Sequence, residues 1–278
     1  MDTTHVLAAL LSALLHAGWN AAVKTSREPT RAMTAQMLLS ALPVVPGLLW
    51  VGLPAPAAWP WIAASTCLNV LTVSALLRAY ALGGFGIVYP VVRAVAVLLV
   101  VPLAAGLAGD RIGVGALGGV LVVVASLGVL AWDAARDKGV TMRALGWTLV
   151  AGLGTAACVI CDGQGVRAAG SPWAYGFVVS ATNAAAICWR QRRAGSPWAQ
   201  LNGQWAVAVP VAVASTVSYL LILWVWSGAP IAPAAALRDT SAIFAILIAV
   251  VWLKERFTPM RVAAVLLTAA AVPLLRLG

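Results

Sequence analysis

The sequence predicts an all-α integral membrane protein with ten transmembrane helices, arranged as two inverted repeats of five helices each. The chain is 62% hydrophobic and 9% charged, whereas soluble domains are about 25% charged. Ten apolar segments approach the length of about 20 residues that a helix needs to cross a bilayer. Charged residues also recur at matching positions in the two halves of the chain, which indicates an internal duplication.

The first half, residues 1–137, is predicted to hold five helices. Its first apolar run has no basic residue before it and is followed by Lys24, so we expect a retained helix and not a cleavable signal. Pro54 ends the second helix, Gly83-Gly84 makes a tight turn before the fourth, and Asp110 is placed to cap the fifth. The five predicted helices cover residues 3–23, a segment that ends near residue 53, 57–82, 86–108 and 111–132.

The second half, residues 138–278, is predicted to hold five more helices. The long charged connection at 133–143 separates the two halves. The tetrapeptide Gly-Ser-Pro-Trp occurs twice, and its residues Ser171-Pro172 and Ser196-Pro197 have the pattern of an N-cap followed by a first helical proline. The predicted helices cover residues 141–166, 172–189, 203–226, 229–253 and 259–275.

The duplication is visible mainly in the charged residues. An offset of 145 positions places Arg93 on Arg238 and the pair Asp110-Arg111 on the pair Glu255-Arg256. In each half, an arginine therefore lies inside an apolar run, and an acidic-arginine pair follows where that run is interrupted. Each half thus encodes a pair of helices joined by a short charged turn.

The distribution of basic residues predicts the orientation in the membrane. The loops after the five odd-numbered predicted helices hold 13 of the 18 Lys and Arg residues, and the opposite side holds 3. Basic loops stay in the cytoplasm, so both termini are predicted to lie outside. Because five helices make up each half, the second half enters the membrane from the opposite face, and the duplication is inverted.

Several functional classes are disfavoured by composition. The formal net charge of +10 comes from short loops between apolar runs, so we expect no nucleic-acid partner. Cys158 and Cys161 have C-x-x-C spacing, but no second pair or histidine ligands accompany them, and we interpret them as buried small hydrophobic residues. No glycine-rich phosphate loop with a lysine is present. We therefore expect neither a cofactor nor enzyme activity.

Arg93 and Arg238 are the first candidate site residues, since an ionisable side chain inside a bilayer is costly. Arg93 lies seven to nine residues inside its predicted helix, about 10–14 Å deep and close to the midplane. Two interpretations remain open at this stage. Both arginines could extend to the nearest interface, or both could turn toward a central cavity and bind a substrate carboxylate.

Three further ionisable residues are candidates for proton coupling or for ion pairs. Asp239 cannot pair comfortably with the adjacent Arg238 on a helix, so we expect it to pair with Arg93 from the other half. Asp162 could line the cavity, or it could lie at the end of the sixth helix and pair with Arg167. We favour the second position. His16 could exchange a proton during transport, or it could stay neutral and bond a nearby carbonyl group.

Two polar stripes lie on helices that are equivalent under the duplication. The third predicted helix carries Ser65, Asn69 and Thr72 at positions i, i+4 and i+7, and the eighth carries Ser215, Ser218, Tyr219 and Trp226. Helix packing by small polar residues would explain either stripe alone. Together they favour a shared cavity lined by the first, third, fourth, sixth, eighth and ninth helices. The fifth and tenth helices are expected to pack the repeats or to mediate association. Trp19, Asn20 and Tyr89 complete the candidate substrate-binding set.

Short motifs along the whole chain resemble the EamA type of the ten-helix drug/metabolite transporter superfamily. The first helix reads His16-Ala17-Gly18-Trp19-Asn20 followed by Lys24, and the pairs Asp110-Arg111 and Glu255-Arg256 resemble the acidic-arginine turn of that family. The segment 162–167, Asp-Gly-Gln-Gly-Val-Arg, is similar to a motif of one branch. This branch lies close to bacterial exporters of amino acids and related metabolites.

The resemblance implies a bacterial inner-membrane transporter that exports small amphiphilic metabolites, above all amino acids, by alternating access. The expected partners are the small-molecule substrate and the lipid bilayer, and we expect the protein to act as a monomer. One alternative is an exporter of multiple drugs or lipophilic cations, which the excess of embedded arginine over acid disfavours. Another is an integral-membrane enzyme that modifies lipids, for which two histidines and few acids are a poor supply of catalytic groups.

Overall fold

The computed structural model describes residues 1–26, 28–83, 85–135, 141–192, 196–251 and 258–277. The regular structure of these residues is helical, without a β-strand, which confirms the predicted all-α class. The described α-helices are α1 Thr3–Thr25, α2 Pro29–Ser40, α3 Val44–Val51, α4 Trp59–Gly83, α5 Phe85–Leu107, α6 Val114–Ala135, α7 Met142–Ala168, α8 Pro172–Gln191, α9 Trp205–Gly228, α10 Ile231–Asp239, α11 Ser241–Val251 and α12 Pro259–Leu277.

The outer surface of the helix bundle is apolar. Leu49 and Trp50 are each 84% exposed, and Val114 is 89% exposed. Contiguous exposure of such side chains would favour aggregation in water, but it is the surface that a bilayer requires. Within the described part of the chain, seven segments are long and apolar enough to cross a membrane. The protein is therefore a multi-pass membrane protein.

Two predicted helices are each divided in the structure. The second is interrupted between α2 and α3 by a turn that contains Pro43, since proline cannot donate the backbone hydrogen bond that a continuing helix needs. The ninth is interrupted at Thr240, between α10 and α11. The Thr240 hydroxyl donates to the carbonyl oxygen of Leu237 at 2.6 Å, a local bond that competes with the helix ladder.

The helix ends agree with the sequence at some positions and differ at others. Ser171 caps α8 as predicted, since its hydroxyl accepts from the backbone N–H of Ala174 at 3.3 Å. Ser196 instead precedes a short 3₁₀ turn and makes no side-chain capping bond. The predicted capping role of Asp110 for the fifth helix is wrong, because α6 begins only at Val114 and Asp110 accepts from the first N–H of α10.

The helices pack through small residues and reciprocal hydroxyl bonds. α6 packs along α12, where the Ser126 hydroxyl contacts Thr268 Oγ1 at 2.8 Å and donates to the carbonyl oxygen of Ala264 at 2.9 Å. α1 packs along α9, where Ser12 and Ser218 each donate to the backbone carbonyl of the other at 2.7 Å. These are the close contacts expected between membrane helices, and α6 and α12 pack together away from the centre of the bundle.

Some positions used in the sequence analysis lie outside the described residues. They include the second acidic-arginine pair, the boundary between the predicted halves and part of the Gly83-Gly84 turn. The basic loop residues in this group are Arg27, Arg136, Lys138, Arg193, Lys254 and Arg256. The positions of the side chains of Lys24, Arg261 and Arg276 are also outside the described part.

Candidate functional site

A cavity of about 330 Å³ lies between the helices, at the lower end of the range for small-molecule sites. Residues of α1, α2, α4, α5, α7, α8, α9 and α10 line it. The structure brings most of the candidate residues together here. Those that line the cavity are His16, Trp19, Asn20, Asn69, Thr72, Tyr89, Arg93, Asp162, Ser215, Tyr219 and Arg238.

The cavity has a definite position along the bundle. The last residues of α1 and α4 and the first residues of α2 lie at one end of the bundle, which we call the cavity end. The opposite end contains Asp110, Arg167 and the start of α10, and we call it the packed end. Asn20, Met33 and Tyr80 line the cavity on the side of the cavity end. Trp226 lines it near the packed end and is 1% exposed. The cavity therefore extends from a buried floor toward the cavity end.

Three basic residues meet at the centre of this cavity, and we call His16, Arg93 and Arg238 the basic cluster. Arg93 Nη2 lies 2.5 Å from His16 Nε2, and Arg238 Nη2 lies 3.5 Å from His16 Nδ1. Trp19 packs edge-on against the imidazole, with ring centroids 5.1 Å apart. Two arginines that the sequence places 145 positions apart therefore approach one histidine from its two sides.

The chemistry of the histidine makes these two contacts unequal. A guanidinium only donates hydrogen bonds, and a neutral imidazole offers one acceptor nitrogen and one N–H donor. The shorter contact is compatible with Arg93 donating to Nε2. Nδ1 then carries the hydrogen and faces Arg238, so that two donors point toward each other at 3.5 Å. The contact between Arg238 and His16 therefore contains two donors and no hydrogen-bond acceptor.

Arg93 is neutralised from the other half of the chain. Its Nη1 lies 2.8 Å from Asp239 Oδ1, and the two side chains are 12% and 8% exposed. This is the pairing expected from the sequence, and it satisfies a buried charge that would otherwise be costly. The guanidinium also lies 5.3 Å from the centre of the Tyr89 ring, a cation–π distance, and the Tyr89 hydroxyl lies 3.4 Å from Ser241 Oγ.

These contacts show that both arginines turn toward the cavity, whereas binding of a substrate carboxylate stays a prediction. If they extended to the membrane interfaces, Arg93 and Arg238 would point to opposite faces and would not meet. Instead both line the cavity and both contact His16. The interpretation of His16 as a histidine bonded to a carbonyl group is also wrong, because its ring nitrogens face the guanidinium groups. Its backbone carbonyl accepts from Asn20 Nδ2 at 2.7 Å.

Asp162 is the acidic counterpart of the basic cluster, and the expected pairing with Arg167 is wrong. Its carboxylate is 8% exposed and accepts three hydroxyl bonds, from Ser65 at 2.6 Å and from Tyr175 and Tyr219 at 3.0 Å each. Asp162 lies six residues before the end of α7, too far inside the helix to serve as its end. Its side chain is therefore part of the cavity wall.

Arg167 makes its ion pair with Asp110 at the packed end. Its Nη1 lies 2.9 Å from Asp110 Oδ1, and it also donates to the carbonyl oxygens of Trp226 and Ala229 at 3.1 and 3.0 Å. Asp110 Oδ2 accepts from the backbone N–H of Ile231, the first residue of α10. One ion pair therefore joins the end of α7, the end of α9, the start of α10 and the connection between α5 and α6.

The two polar stripes face different environments. Ser65, Asn69 and Thr72 all line the cavity, and Asn69 Nδ2 donates to Asn183 Oδ1 at 3.1 Å. On α9, Ser215 and Tyr219 line the cavity. Ser218 instead binds α1, as described above, so packing between helices explains this member of the stripe.

The sequence analysis missed the contribution of α2 and α8. Gln36 Nε2 donates to Ser40 Oγ at 3.0 Å and to Ser215 Oγ at 2.7 Å, and both serines line the cavity. Asn183 and Ser180 reach the same space from α8. The available signal was an isolated amide in each apolar run, since a polar side chain within the membrane usually faces the protein interior.

Comparison with known proteins gives a family match over the second half of the chain and a structural likeness over nearly all of it. Residues 142–277 match the model of the EamA-like transporter family, which confirms the resemblance predicted from the sequence. No curated protein matches the chain. One solved crystal structure is similar over 99% of this chain and 96% of the other, with a TM-score of 0.70 and 16% identity. At that identity the likeness shows a common fold and nothing more.

Proposed function

We propose that this chain, which carries an EamA-like transporter domain, is a secondary transporter that exports small amphiphilic metabolites, in particular amino acids, across the bacterial inner membrane. The observation that carries this proposal is the central cavity, where ionisable and hydrogen-bonding side chains are gathered inside an otherwise apolar bundle. Charged residues at membrane depth are retained where they contact a substrate or an ion.

The contacts between helices support two inverted five-helix repeats as the architecture. An offset of 145 residues pairs α1 with α7, α2 with α8, α4 with α9, α5 with α10 and α11, and α6 with α12. α4 packs on α7 and α8, and its equivalent α9 packs on α1 and α2. Likewise α5 packs on α7, and α10 and α11 pack on α1. Exchange of the two halves, 1–137 and 138–278, thus reproduces these contacts, which is compatible with a two-fold axis in the membrane plane.

Alternating access follows from this arrangement. The distribution of basic loop residues supports a cytoplasmic cavity end, with both termini outside. In this conformation the ion pair between Arg167 and Asp110 ties the packed end together, and the cavity extends toward the opposite end. Export would require the packed end to separate while the cavity end closes, which moves the cavity from one face of the membrane to the other.

A second candidate function is export of lipophilic cations. The buried carboxylate of Asp162 and the aromatic side chains of Tyr219 and Trp226 line the same cavity, and an embedded acid with aromatic walls is suited to an organic cation. The two cavity arginines argue against a cation of this kind. Counterflow measured for the two classes of substrate separates these two functions.

The test is counterflow in proteoliposomes that contain the purified protein. Vesicles are loaded with one unlabelled amino acid, and entry of the same amino acid in labelled form is followed for a panel of amino acids. A parallel set of vesicles is loaded with unlabelled tetraphenylphosphonium, and entry of the labelled cation is followed. We expect amino acids to exchange and the cation not to. Exchange of the cation alone would establish the second candidate function in place of amino-acid export. Arg78→Gln serves as the control, since Arg78 is exposed and stacks on Trp147 outside the cavity.

A further inference from the structure

The charges that line the cavity are not all compensated by each other. Arg93 and Asp239 form a buried ion pair and cancel. Arg238 and Asp162 also line the cavity, but among the described residues neither takes part in an ion pair within 4.0 Å. One positive and one negative charge therefore line the same cavity without an ion pair between them, an arrangement that is costly in a medium of low dielectric constant.

The side chains that line the cavity include buried hydrogen-bond donors without a partner. In the described part of the chain, the buried side-chain nitrogens without a hydrogen-bond partner are Arg238 Nε, Trp19 Nε1 and Trp226 Nε1. All three side chains line the cavity, and each nitrogen is a donor. His16 Nδ1 adds a fourth nitrogen that faces Arg238 without an acceptor between them. Arg238 and the facing His16 nitrogen are suited to an anion, since a guanidinium binds a carboxylate through two parallel bonds.

The Asp162 side has the opposite chemistry. Its Oδ1 accepts from Ser65 and Tyr175, whereas Oδ2 accepts only from Tyr219. A carboxylate oxygen accommodates two donors, so Oδ2 retains an acceptor position. No positive side chain occupies it among the described contacts. The position is suited to a cation with N–H donors, such as a primary ammonium group.

Both charges lie at a similar depth. Asp162 is six residues before the end of α7, and Arg238 is seven residues after the start of α10, which corresponds to about 9 and 11 Å from the packed end at 1.5 Å per residue. We infer that the cavity binds a zwitterion, with the carboxylate at Arg238 and the primary ammonium at Asp162. A small α-amino acid with an uncharged side chain has this charge distribution, and its side chain would extend toward Val73, Leu76 and Val92, which also line the cavity.

This inference rests on the proposed function, because it assigns the substrate class of the same cavity. The experiment compares three forms of leucine and of phenylalanine in slightly acidic buffer: the free zwitterion, the methyl ester, which is a cation, and the N-acetyl derivative, which is an anion. Binding of each form, and of tetraphenylphosphonium, to the purified protein is measured directly with the labelled compound. We expect the zwitterion to bind about 10- to 100-fold more tightly than either derivative, the loss that follows from one missing charged hydrogen bond.

Two substitutions test the assignment of the two charges, since simple damage to the fold would weaken all forms alike. Arg238→Gln removes the carboxylate partner, so the preference should shift from the zwitterion to the methyl ester. Asp162→Asn removes the ammonium partner, so the preference should shift to the N-acetyl derivative. Arg78→Gln and Asp133→Asn make the same chemical changes outside the cavity and should leave the preference of the parent unchanged.

The outcomes distinguish this inference from the proposed function. If the free amino acid and its N-acetyl form bind equally well, the zwitterion site is wrong and amino-acid export stands. If preferences do not change in Arg238→Gln or Asp162→Asn, the assignment of the residues is wrong. If tetraphenylphosphonium binds and no form of either amino acid does, or if none of these probes binds, then amino-acid export is wrong together with this inference.

Discussion

Arg167 Nη1 lies 2.9 Å from Asp110 Oδ1, at the end of the bundle opposite the opening of the cavity. Asp110 is 6% exposed and Arg167 is 27% exposed, so this ion pair is largely shielded from solvent and lipid. It involves four elements of the bundle through the bonds to α9 and α10. In an alternating-access cycle these contacts would have to break each time the packed end opens.

The first prediction concerns this ion pair. Arg167→Gln removes the charged contact and should shift the population toward the conformation that is open at the packed end, by about tenfold for a loss of about 1.4 kcal/mol. Cys158 lines the cavity, so its reaction with a membrane-impermeant thiol reagent reports the opening. With Cys67, Cys161 and Cys188 replaced by Ala, the reaction from the side of the packed end should become about tenfold faster.

The control for this measurement is Arg192→Gln. Arg192 is an exposed arginine that contacts Trp189 in its own helix end, so its loss should not change the labelling rate from either side. An unchanged rate in Arg167→Gln would show that the ion pair does not hold the packed end closed.

The second prediction concerns the ion pair between the two halves. Arg93→Gln leaves Asp239 buried without its partner, and a broken buried pair destabilises by about 3–5 kcal/mol. The double variant Arg93→Gln/Asp239→Asn should regain most of the free energy of unfolding, because neither member of this pair is left charged without the other. Chemical unfolding in detergent measures these differences. Equal free energies of unfolding for Arg93→Gln and the double variant would show that Arg93 does not offset the buried charge of Asp239.

An exposed ion pair provides the comparison for that cycle. Arg31 and Glu28 are 36% and 49% exposed, so Glu28→Gln should change the free energy of unfolding by no more than about 1 kcal/mol.

The third prediction uses two adjacent glycines of α6. A Cβ at Gly119 would lie 2.9 Å from the backbone nitrogen of Leu275 in α12, whereas a Cβ at Gly118 meets no atom within 4 Å. Gly119→Ala should therefore destabilise the protein by about 1–3 kcal/mol. Gly118→Ala should be neutral or stabilising by up to about 1 kcal/mol, because alanine favours the helix. The signs of the two changes in unfolding free energy are opposite, and equal signs would contradict the close packing of α6 on α12.

The fourth prediction concerns the acceptor that His16 offers to Arg93. His16→Phe keeps an aromatic ring beside Trp19 but removes the ring nitrogens that face the two arginines. Amino-acid counterflow should fall about tenfold or more. Ser74→Ala is the control, because Ser74 bonds the carbonyl oxygen of Val70 within its own helix. Counterflow at the parental rate in His16→Phe would remove the histidine from the proposed mechanism.

The sequence predicts some parts of this site because membrane burial makes ionisable residues conspicuous. Arg93, Arg238 and Asp239 stand out in apolar runs, and the spacing of 145 residues already relates the two arginines. Their contact with His16 follows once the halves are packed against each other. Neither the orientation of the arginines nor their contacts could be obtained from depth alone, since a long side chain reaches either an interface or a cavity from the same position.

Asp162 and Gln36 show where prediction from the sequence fails. Asp162 is followed by Arg167 five residues later, and this proximity favoured a local pair that the structure replaces with three hydroxyl donors from three other helices. Gln36 lies in a helix that Pro43 interrupts, and its partners Ser40 and Ser215 are 4 and 179 residues away. Contacts over such separations depend on how the helices pack, which local patterns do not encode.

The ion pair between Arg93 and Asp239 has no counterpart at the positions related to it by the proposed duplication. At the proposed 145-residue offset, Asp239 corresponds to Ala94, and His16 corresponds to Cys161. Two copies of the first half would therefore bring together two arginines and two histidines without a carboxylate, and two copies of the second half would lack the histidine. A symmetric homodimer of either half could not rebuild this site. The two halves thus contribute different side chains to one centre, and neither half can take the place of the other.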